Sequence, residues 1–230
     1  MAAGGFGGHR RSWEFTAVSC GPRLAGGAAL VRHAGKSIRR VRRGVCVSTR
    51  AANPLGTTPL ANVVGSVRIL GIDPGSQITG FGVVDTFGNR TTAVEWGSIR
   101  TSGEHSDRLR NIFTALGQIV REYRPTEIAI ERVFLSRNAD SALKLGQARA
   151  AAICATFESN VPIYEYSARH IKKAVVGSGA AEKDQVQRMV QMILGVQEAI
   201  AADAADALAA AICHANERTM RGALQAVGRG

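Results

Sequence analysis

Apolar residues fall into two kinds of run along residues 67–216, one strand-like and one helical. Val67-Arg68-Ile69-Leu70-Gly71-Ile72-Asp73 is short, β-branched and apolar, which predicts a buried strand. Residues 79–87 and 91–99 predict two more, and Gly88-Asn89 between them suits a hairpin turn. From Ser106 to Arg124 the period changes. Leu109, Ile112, Phe113, Leu116, Ile119, Val120 and Tyr123 recur at spacings of three and four, the signature of an amphipathic helix. Ser106 is the expected N-cap, and Pro125 the stop. A fourth strand is expected over 127–131, a helix rich in small residues from Asp140 to Glu158, and a fifth strand over 161–166. Helices follow over 167–175, 183–194 and 203–216. The order β-β-β-α-β-α-β-α-α-α predicts an α/β fold, a hairpin-started mixed sheet of five strands flanked by helices.

Charge changes the picture mainly at the N-terminus. The 230-residue chain has a formal charge of +11, but residues 1–66 hold ten Lys/Arg and a single acid, Glu14. The other 164 residues are close to balanced, with 19 basic and 17 acidic groups. The basic balance therefore does not by itself argue for nucleic-acid binding. Residues 1–66 lack apolar periodicity and are rich in Gly, Ala, Arg and Ser, which predicts a disordered basic extension. It reads as a mis-assigned start, a targeting segment or a nucleic-acid arm. Residues 218–230 are expected to form a flexible tail, leaving 67–217 as the folded domain. No stretch approaches the ~20 apolar residues that span a bilayer. The four cysteines, Cys20, Cys46, Cys154 and Cys213, form no CxxC pair. Cys154 and Cys213 lie in helical patterns and are expected to be buried free thiols, as suits a reducing cytoplasm.

Four acids stand at element ends: Asp73 and Glu131 each close an apolar strand, and Asp203 and Asp206 open an alanine-rich helix. Acids in such places are costly to bury unless neutralised. If the fold gathers them, their repulsion calls for a divalent cation, and hard oxygen ligands suit Mg²⁺ or Mn²⁺. Each acid also has an ordinary explanation. Asp73 could cap the Asp-Pro-Gly turn. Asp203 could cap its helix with Asp206 at the third position, and Glu131 could pair with Arg132 or Arg137. His214 lies eleven residues beyond Asp203, a rise of ~16 Å, and reads as a surface or core histidine rather than a ligand.

The motifs as they stand resemble one family. Ile69-Leu70-Gly71-Ile72-Asp73-Pro74-Gly75-Ser76 with Thr79-Gly80-Phe81-Gly82-Val83 resembles the opening of RuvC, the bacterial Holliday junction resolvases. So do Ala129-Ile130-Glu131-Arg132-Val133-Phe134, the run from Asn138 to Arg149, Val175-Val176-Gly177 with Ala181-Glu182-Lys183, and Ala202-Asp203-Ala204-Ala205-Asp206-Ala207-Leu208-Ala209. The resemblance covers about residues 67–216 in family order. It implies an RNase H-like fold with Asp73, Glu131, Asp203 and Asp206 as catalytic, metal-binding carboxylates. It further implies two Mg²⁺ ions per active site, with Mn²⁺ as a substitute, a homodimer, four-way junction DNA as substrate, and RuvA and RuvB as partners. Arg137, Lys144, Arg149, Lys172 and Lys183 are the candidate phosphate contacts, of which Lys172 and Lys183 match family basic positions. Phe134 matches a family position for an aromatic wedge stacking on an unpaired base. Three other readings compete: an ATPase of the actin and sugar-kinase type, whose phosphate loop Asp73-Pro74-Gly75-Ser76 imitates, a non-catalytic junction-binding module, against which the presence of all four acids argues, and another RNase H-like nuclease.

Overall fold

The computed structural model describes residues 65–132 and 138–227, and the two strands Ser37–Arg40 (β1) and Val45–Thr49 (β2). The five predicted strands are all present: Val67–Asp73 (β3), Ile78–Phe87 (β4), Arg90–Thr101 (β5), Glu127–Arg132 (β6) and Ile163–Ser167 (β7). They lie in the order β5-β4-β3-β6-β7, with β3, β6 and β7 parallel and the hairpin strands antiparallel. Gly88 takes the positive φ that closes the β4–β5 hairpin.

The first departure from the sequence reading is at the extension. β1 and β2 add antiparallel to β5, so the five-stranded mixed sheet gains two strands at its hairpin edge. The open edge of β5 offers a row of backbone donors and acceptors. The short β-branched run Val45-Cys46-Val47-Ser48-Thr49 satisfies them without needing the long apolar period by which strands are recognised. The rest of residues 1–64 lies outside the described residues.

The helices are His105–Tyr123 (α1), Ala139–Cys154 (α2), Ala168–Val176 (α3), Lys183–Leu194 (α4) and Ala202–Val227 (α5). Ser106 is not the cap of α1. Glu104 holds that position, with no side-chain cap bond. Asn138 caps α2, accepting from the backbone N–H groups of Asp140 and Ser141. The segment expected to continue α2 to Glu158 breaks at Ala155 into a 3-10 turn, Phe157–Ser159. The expected tail from residue 218 is instead the last three turns of α5. Arg218 and Arg221 anchor there on Glu127 and Tyr166, which explains why the helix runs on past the apolar pattern. Cys213 is buried as expected, whereas Cys154 is exposed, because only Ala148 and Ala152 of α2 are buried against the body.

The sheet separates two apolar layers. On one face α1 and α2 cover Leu70, Ile72, Phe81, Val83, Ile128 and Ile130. On the other, α5 crosses β3, β4 and β6, flanked by α3 and α4. At ~25 cal/mol per Å² of apolar surface removed from water, the fully buried Phe81, Ile72 and Ile130 alone contribute about 2 kcal/mol each. A buried ion pair, Arg68 Nε to Asp85 Oδ1 at 2.7 Å, ties β3 to β4, and Arg68 also donates to the Tyr123 carbonyl at the end of α1.

What positions the site is the α5 face of the sheet. Gly71, Gly80 and Gly82 alternate onto it, and none has room for a side chain. A Cβ on Gly71 would lie 2.0 Å from the Ala207 carbonyl oxygen, and one on Gly80 1.9 Å from that of Asp203. On Gly82 it would meet Leu208 at 2.6 Å. The absence of these side chains lets the backbone of α5 lie directly on β3 and β4.

Candidate functional site

Asp73 and Glu131 finish adjacent parallel strands. Ile72 is in register with Ile130, so the next residue on each strand ends beside its counterpart, about 4.8 Å away across the sheet. Alternation turns both acids toward α5. There the glycine-lined seat brings the first turns of the helix down, with Asp203 and Asp206 one turn apart.

The four acids influence one another through space. The Asp73 carboxyl is raised from 3.8 to about 7, first by burial, then by Glu131, Asp206 and Asp203. Glu131 is also raised, by burial and by Asp206, against the pull of Lys183 and Lys172. Lys183 Nζ lies 2.8 Å from Asp206 Oδ2, and that bond raises its own ammonium. Lys172 donates to the Ala181 carbonyl at 2.8 Å and shares with Lys183, Glu131 and Asp206 the walls of a cleft of about 150 Å³.

The ordinary explanations for single acids give way wherever the described residues bear on them, and the pairing of Glu131 with Arg137 lies outside those residues. The Asp-Pro-Gly turn is held by Thr79, whose Oγ1 accepts from the Gly75 N–H and donates to the Gly75 carbonyl. Asp203 sits inside the first turn of α5 rather than capping it. Arg132 pairs with Glu165, not Glu131.

The remaining predicted contacts separate. Lys172 and Lys183 stand at the acids. Lys144 pairs with Asp140 on the exposed start of α2, and Arg149 pairs with Glu165 on β7 at 2.6 Å, which neutralises much of its charge. Phe134 and Arg137 lie outside the described residues. The sequence reading missed Thr79 as the turn's holding group. It also missed the glycine seat, although period-two glycines facing an alanine-rich helix were a visible signal.

Among the described residues no three His, Cys, Asp or Glu side chains already converge as a closed ligand set. The donor chemistry nevertheless fits a divalent cation. The oxygens are hard, the acids repel one another, and the Asp206–Lys183 pair meets only part of the positive charge they call for.

One consequence is measurable without substrate. A carboxyl raised to about 7 holds its proton more tightly in the folded than in the unfolded chain. Between pH 4 and 7 the folded state therefore carries more protons, and stability falls as pH rises. Asp73's own share of the loss in EDTA is expected to reach about 4 kcal/mol by pH 8, with the raised Glu131 adding in the same direction. Mg²⁺ at pH 8 should restore it, and Asp73→Asn should remove most of the slope. Thermal melts from pH 4 to 8 with EDTA or Mg²⁺ test this. A flat metal-free profile would exclude a shared charge burden at Asp73.

Comparison with known proteins gives one family. The family model for crossover junction endodeoxyribonuclease RuvC matches residues 69–214. The chain is 50% identical over 163 residues to the crossover junction endodeoxyribonuclease RuvC of Geobacter sulfurreducens, covering 70% of this chain and 99% of that one. It is 57% identical over 147 residues to the enzyme of Shewanella sp. strain ANA-3, covering 64% and 85%. Among solved structures it is similar to Thermus thermophilus RuvC in complex with a Holliday junction substrate, with a TM-score of 0.64 and 34% identity over 67% of this chain and 96% of that one. The yeast mitochondrial Holliday junction resolvase Ydc2 shares the fold at 12% identity, with a TM-score of 0.52 over 68% and 81% of the two chains.

Proposed function

The chain belongs to the RuvC family of crossover junction endodeoxyribonucleases, and from that premise we propose that Asp73, Glu131, Asp203 and Asp206 hold divalent cations for cleavage of four-way DNA junctions. The observation that carries this reading is geometric: the parallel register ends Asp73 and Glu131 side by side, and the glycine seat brings the start of α5, with Asp203 and Asp206, down beside them, where burial and the neighbouring acids raise Asp73 and Glu131. Mg²⁺ is the expected ion, two per site, with Mn²⁺ able to replace it. Bound there, the cations would offset the negative charge that gathers on the scissile phosphate and the leaving oxygen.

The chain's own residues do the rest. The glycine seat holds Asp203 and Asp206 close down on the strand ends before substrate arrives, which sets the height of the helix above the sheet. Lys183 and Lys172 line the cleft beside Glu131 and Asp206, where they are placed to receive a phosphate of the incoming backbone. Lys144, which pairs with the surface acid Asp140, and Arg137 are proposed as further phosphate contacts. Arg149 is the weaker contact, since Glu165 already holds it. The ATPase reading has no support in the family match.

Cutting two strands symmetrically calls for two sites related by a two-fold axis. The exposed face of α2 supports a homodimer. Leu143 (62% exposed), Gly146, Ala150 and Cys154 form one apolar or small stripe that the body leaves uncovered. Sedimentation at micromolar protein should show a dimer, and Leu143→Asp a monomer. A monomeric wild type with full activity on junctions would defeat this assembly. RuvA and RuvB are the expected partners and the cytoplasm the expected location. Among the described residues no helix is long and apolar enough to cross a membrane.

Phe134 follows β6 by two residues and is proposed to stack on a base unpaired at the junction centre. Phe134→Ala should leave the melting temperature within a few degrees and weaken junction recognition by ~1–3 kcal/mol. A core aromatic would instead cost ~3–5 kcal/mol of stability, so a large fall in melting temperature would reject the wedge.

The function itself is tested by incubating the full chain with a synthetic four-way junction or a linear duplex of the same sequence, each with Mg²⁺ or EDTA. Paired nicks confined to the junction with Mg²⁺ support the reading. Equal cutting of duplex, or cutting in EDTA, defeats it.

A further inference from the structure

The carboxylate site occupies one end of β6. The other end holds a second cluster of titratable groups that takes no part in the chemistry above. Glu127 and Glu131 are four residues apart on this strand, so alternation turns both toward α5. Glu131 is coupled to Asp206 near the start of that helix, whereas Glu127 meets His214, two turns further on.

His214 is 1% exposed and is bonded at both ring nitrogens. Nε2 lies 2.7 Å from Glu127 Oε2, and Nδ1 lies 2.7 Å from the Tyr166 hydroxyl of β7. A carboxylate can only accept, so Nε2 carries the proton and donates it. The neutral ring's Nδ1 then accepts from the Tyr166 O–H. Burial lowers the imidazole from its ordinary value and raises the Tyr166 phenol to about 12, so each keeps the protonation this arrangement needs. Arg218 Nε donates to the second Glu127 oxygen at 2.9 Å, and Arg221 donates to the Tyr166 oxygen at 3.4 Å. Tyr164 stacks on the imidazole with ring centroids 4.2 Å apart.

Near the catalytic end, α5 rests on the sheet through small surfaces: Gly71, Gly80 and Gly82 beneath Asp203, Ala207, Leu208 and Ala211. Such a contact is close, and the side chains that anchor it, Leu208 over Gly82 and Ile212, are apolar and carry no directional bond. Hydrogen bonds are directional, and those at His214 supply what the apolar contact lacks.

We propose that the Glu127–His214–Tyr166 chain is a positioning device that sets where α5 lies along β6, and so where Asp203 and Asp206 stand relative to Asp73 and Glu131. His214 is eight residues from Asp206, a rise of about 12 Å, so it acts through the helix and touches neither cation nor substrate. The inference rests on the reading of the four acids as a cation site.

The test is the affinity of the full chain for Mn²⁺, measured by electron paramagnetic resonance titration, beside the Mg²⁺ dependence of junction nicking. His214→Ala and Tyr166→Phe are each expected to weaken Mn²⁺ binding by about three- to thirtyfold. The Mg²⁺ needed for half-maximal nicking should rise in proportion, with the rate at saturating Mg²⁺ changed far less. The double variant should be little worse than His214→Ala alone, because both break one chain. His214→Gln, whose amide both donates and accepts, should recover part of the affinity. Leu116→Ala, on the buried face of α1 in the opposite layer, supplies a control that is destabilised away from the chain and should bind Mn²⁺ as the wild type does. Tyr166→Phe keeps the ring and decides the matter if His214→Ala does not fold. Unchanged affinity in Tyr166→Phe, or an equal loss in Leu116→Ala, overturns the inference while leaving the cation site standing. A wild type that binds no Mn²⁺ overturns the cation site, and the inference with it.

Discussion

Asp206→Asn is expected to reduce Mg²⁺-dependent junction nicking by at least about a thousandfold while leaving junction binding within several-fold. Asparagine keeps the shape of the side chain but replaces one acceptor oxygen with an NH₂ donor and removes the charge a hard cation requires. A bound cation supplies several kcal/mol of charge stabilisation in phosphodiester cleavage, and the loss of ~4 kcal/mol is three powers of ten in rate. Binding should survive because DNA is drawn by lysines and not by acids. With its partner neutralised, Lys183 is also released from the 2.8 Å ion pair that now holds it. Single-turnover nicking and gel-shift titration on one junction separate the two effects. Nicking within tenfold of wild type would remove Asp206 from the site. A parallel collapse of binding would show that the variant had lost its fold rather than its chemistry. Asp140→Asn, which breaks only an exposed pair with Lys144, should change neither quantity.

Gly80→Ala should be nearly as damaging to nicking, although it adds a single methyl group outside the acids. The new Cβ would stand 1.9 Å from the Asp203 carbonyl oxygen and 2.5 Å from its carbon, against an ordinary contact of 3.4 Å or more. The obstacle is backbone, which cannot rotate away as a side-chain tip can. Either α5 rises from the sheet by more than an ångström or β4 sinks into the layer packed with Phe81 and Val83. Overpacking of this kind costs ~1–3 kcal/mol of stability. A displacement of about 1 Å at a reacting centre costs about a hundredfold in rate. The expected outcome is a folded protein, melting several degrees lower, with nicking reduced about a hundredfold. Gly117→Ala is the matched control. It lies in α1, where a Cβ would make an ordinary 3.4 Å contact with the mobile end of Arg121, and helix propensity favours alanine by up to ~1 kcal/mol. It should be neutral or stabilising. A Gly80→Ala protein as active as Gly117→Ala would show that the glycine seat does not set the position of Asp203.

The reading of the sequence succeeded where a local pattern carried the information, and it failed at boundaries and partners. Five strands and five helices were legible because their apolar residues keep periods of two or 3.6, and because Pro125, Gly88 and Gly177 punctuate them. The Ser106 cap was misplaced by two residues because a helix start depends on backbone geometry as much as on side-chain type. The last three turns of α5 were missed because their anchors, Glu127 and Tyr166, come from strands 91 and 55 residues earlier. β2 was missed because a strand that completes an edge needs no apolar face of its own.

The candidate site divides in the same way. The sequence by itself determined which groups are present: four carboxylates at the ends of recognisable elements, two lysines near them, and glycines at alternate positions in β3 and β4. Only the tertiary structure decided that Asp73 and Glu131 end side by side, since that follows from the parallel register of β3 and β6, strands more than fifty residues apart. It alone gave the charge burden on Asp73, because repulsion and burial depend on distances that spacing along the chain does not contain. It also moved His214 from an unassigned histidine to a fully bonded link between β6, β7 and α5. The physical reason is common to all three. Periodicity records which face of an element is apolar, whereas coupling between charges and hydrogen-bonding groups depends on which faces the fold brings together.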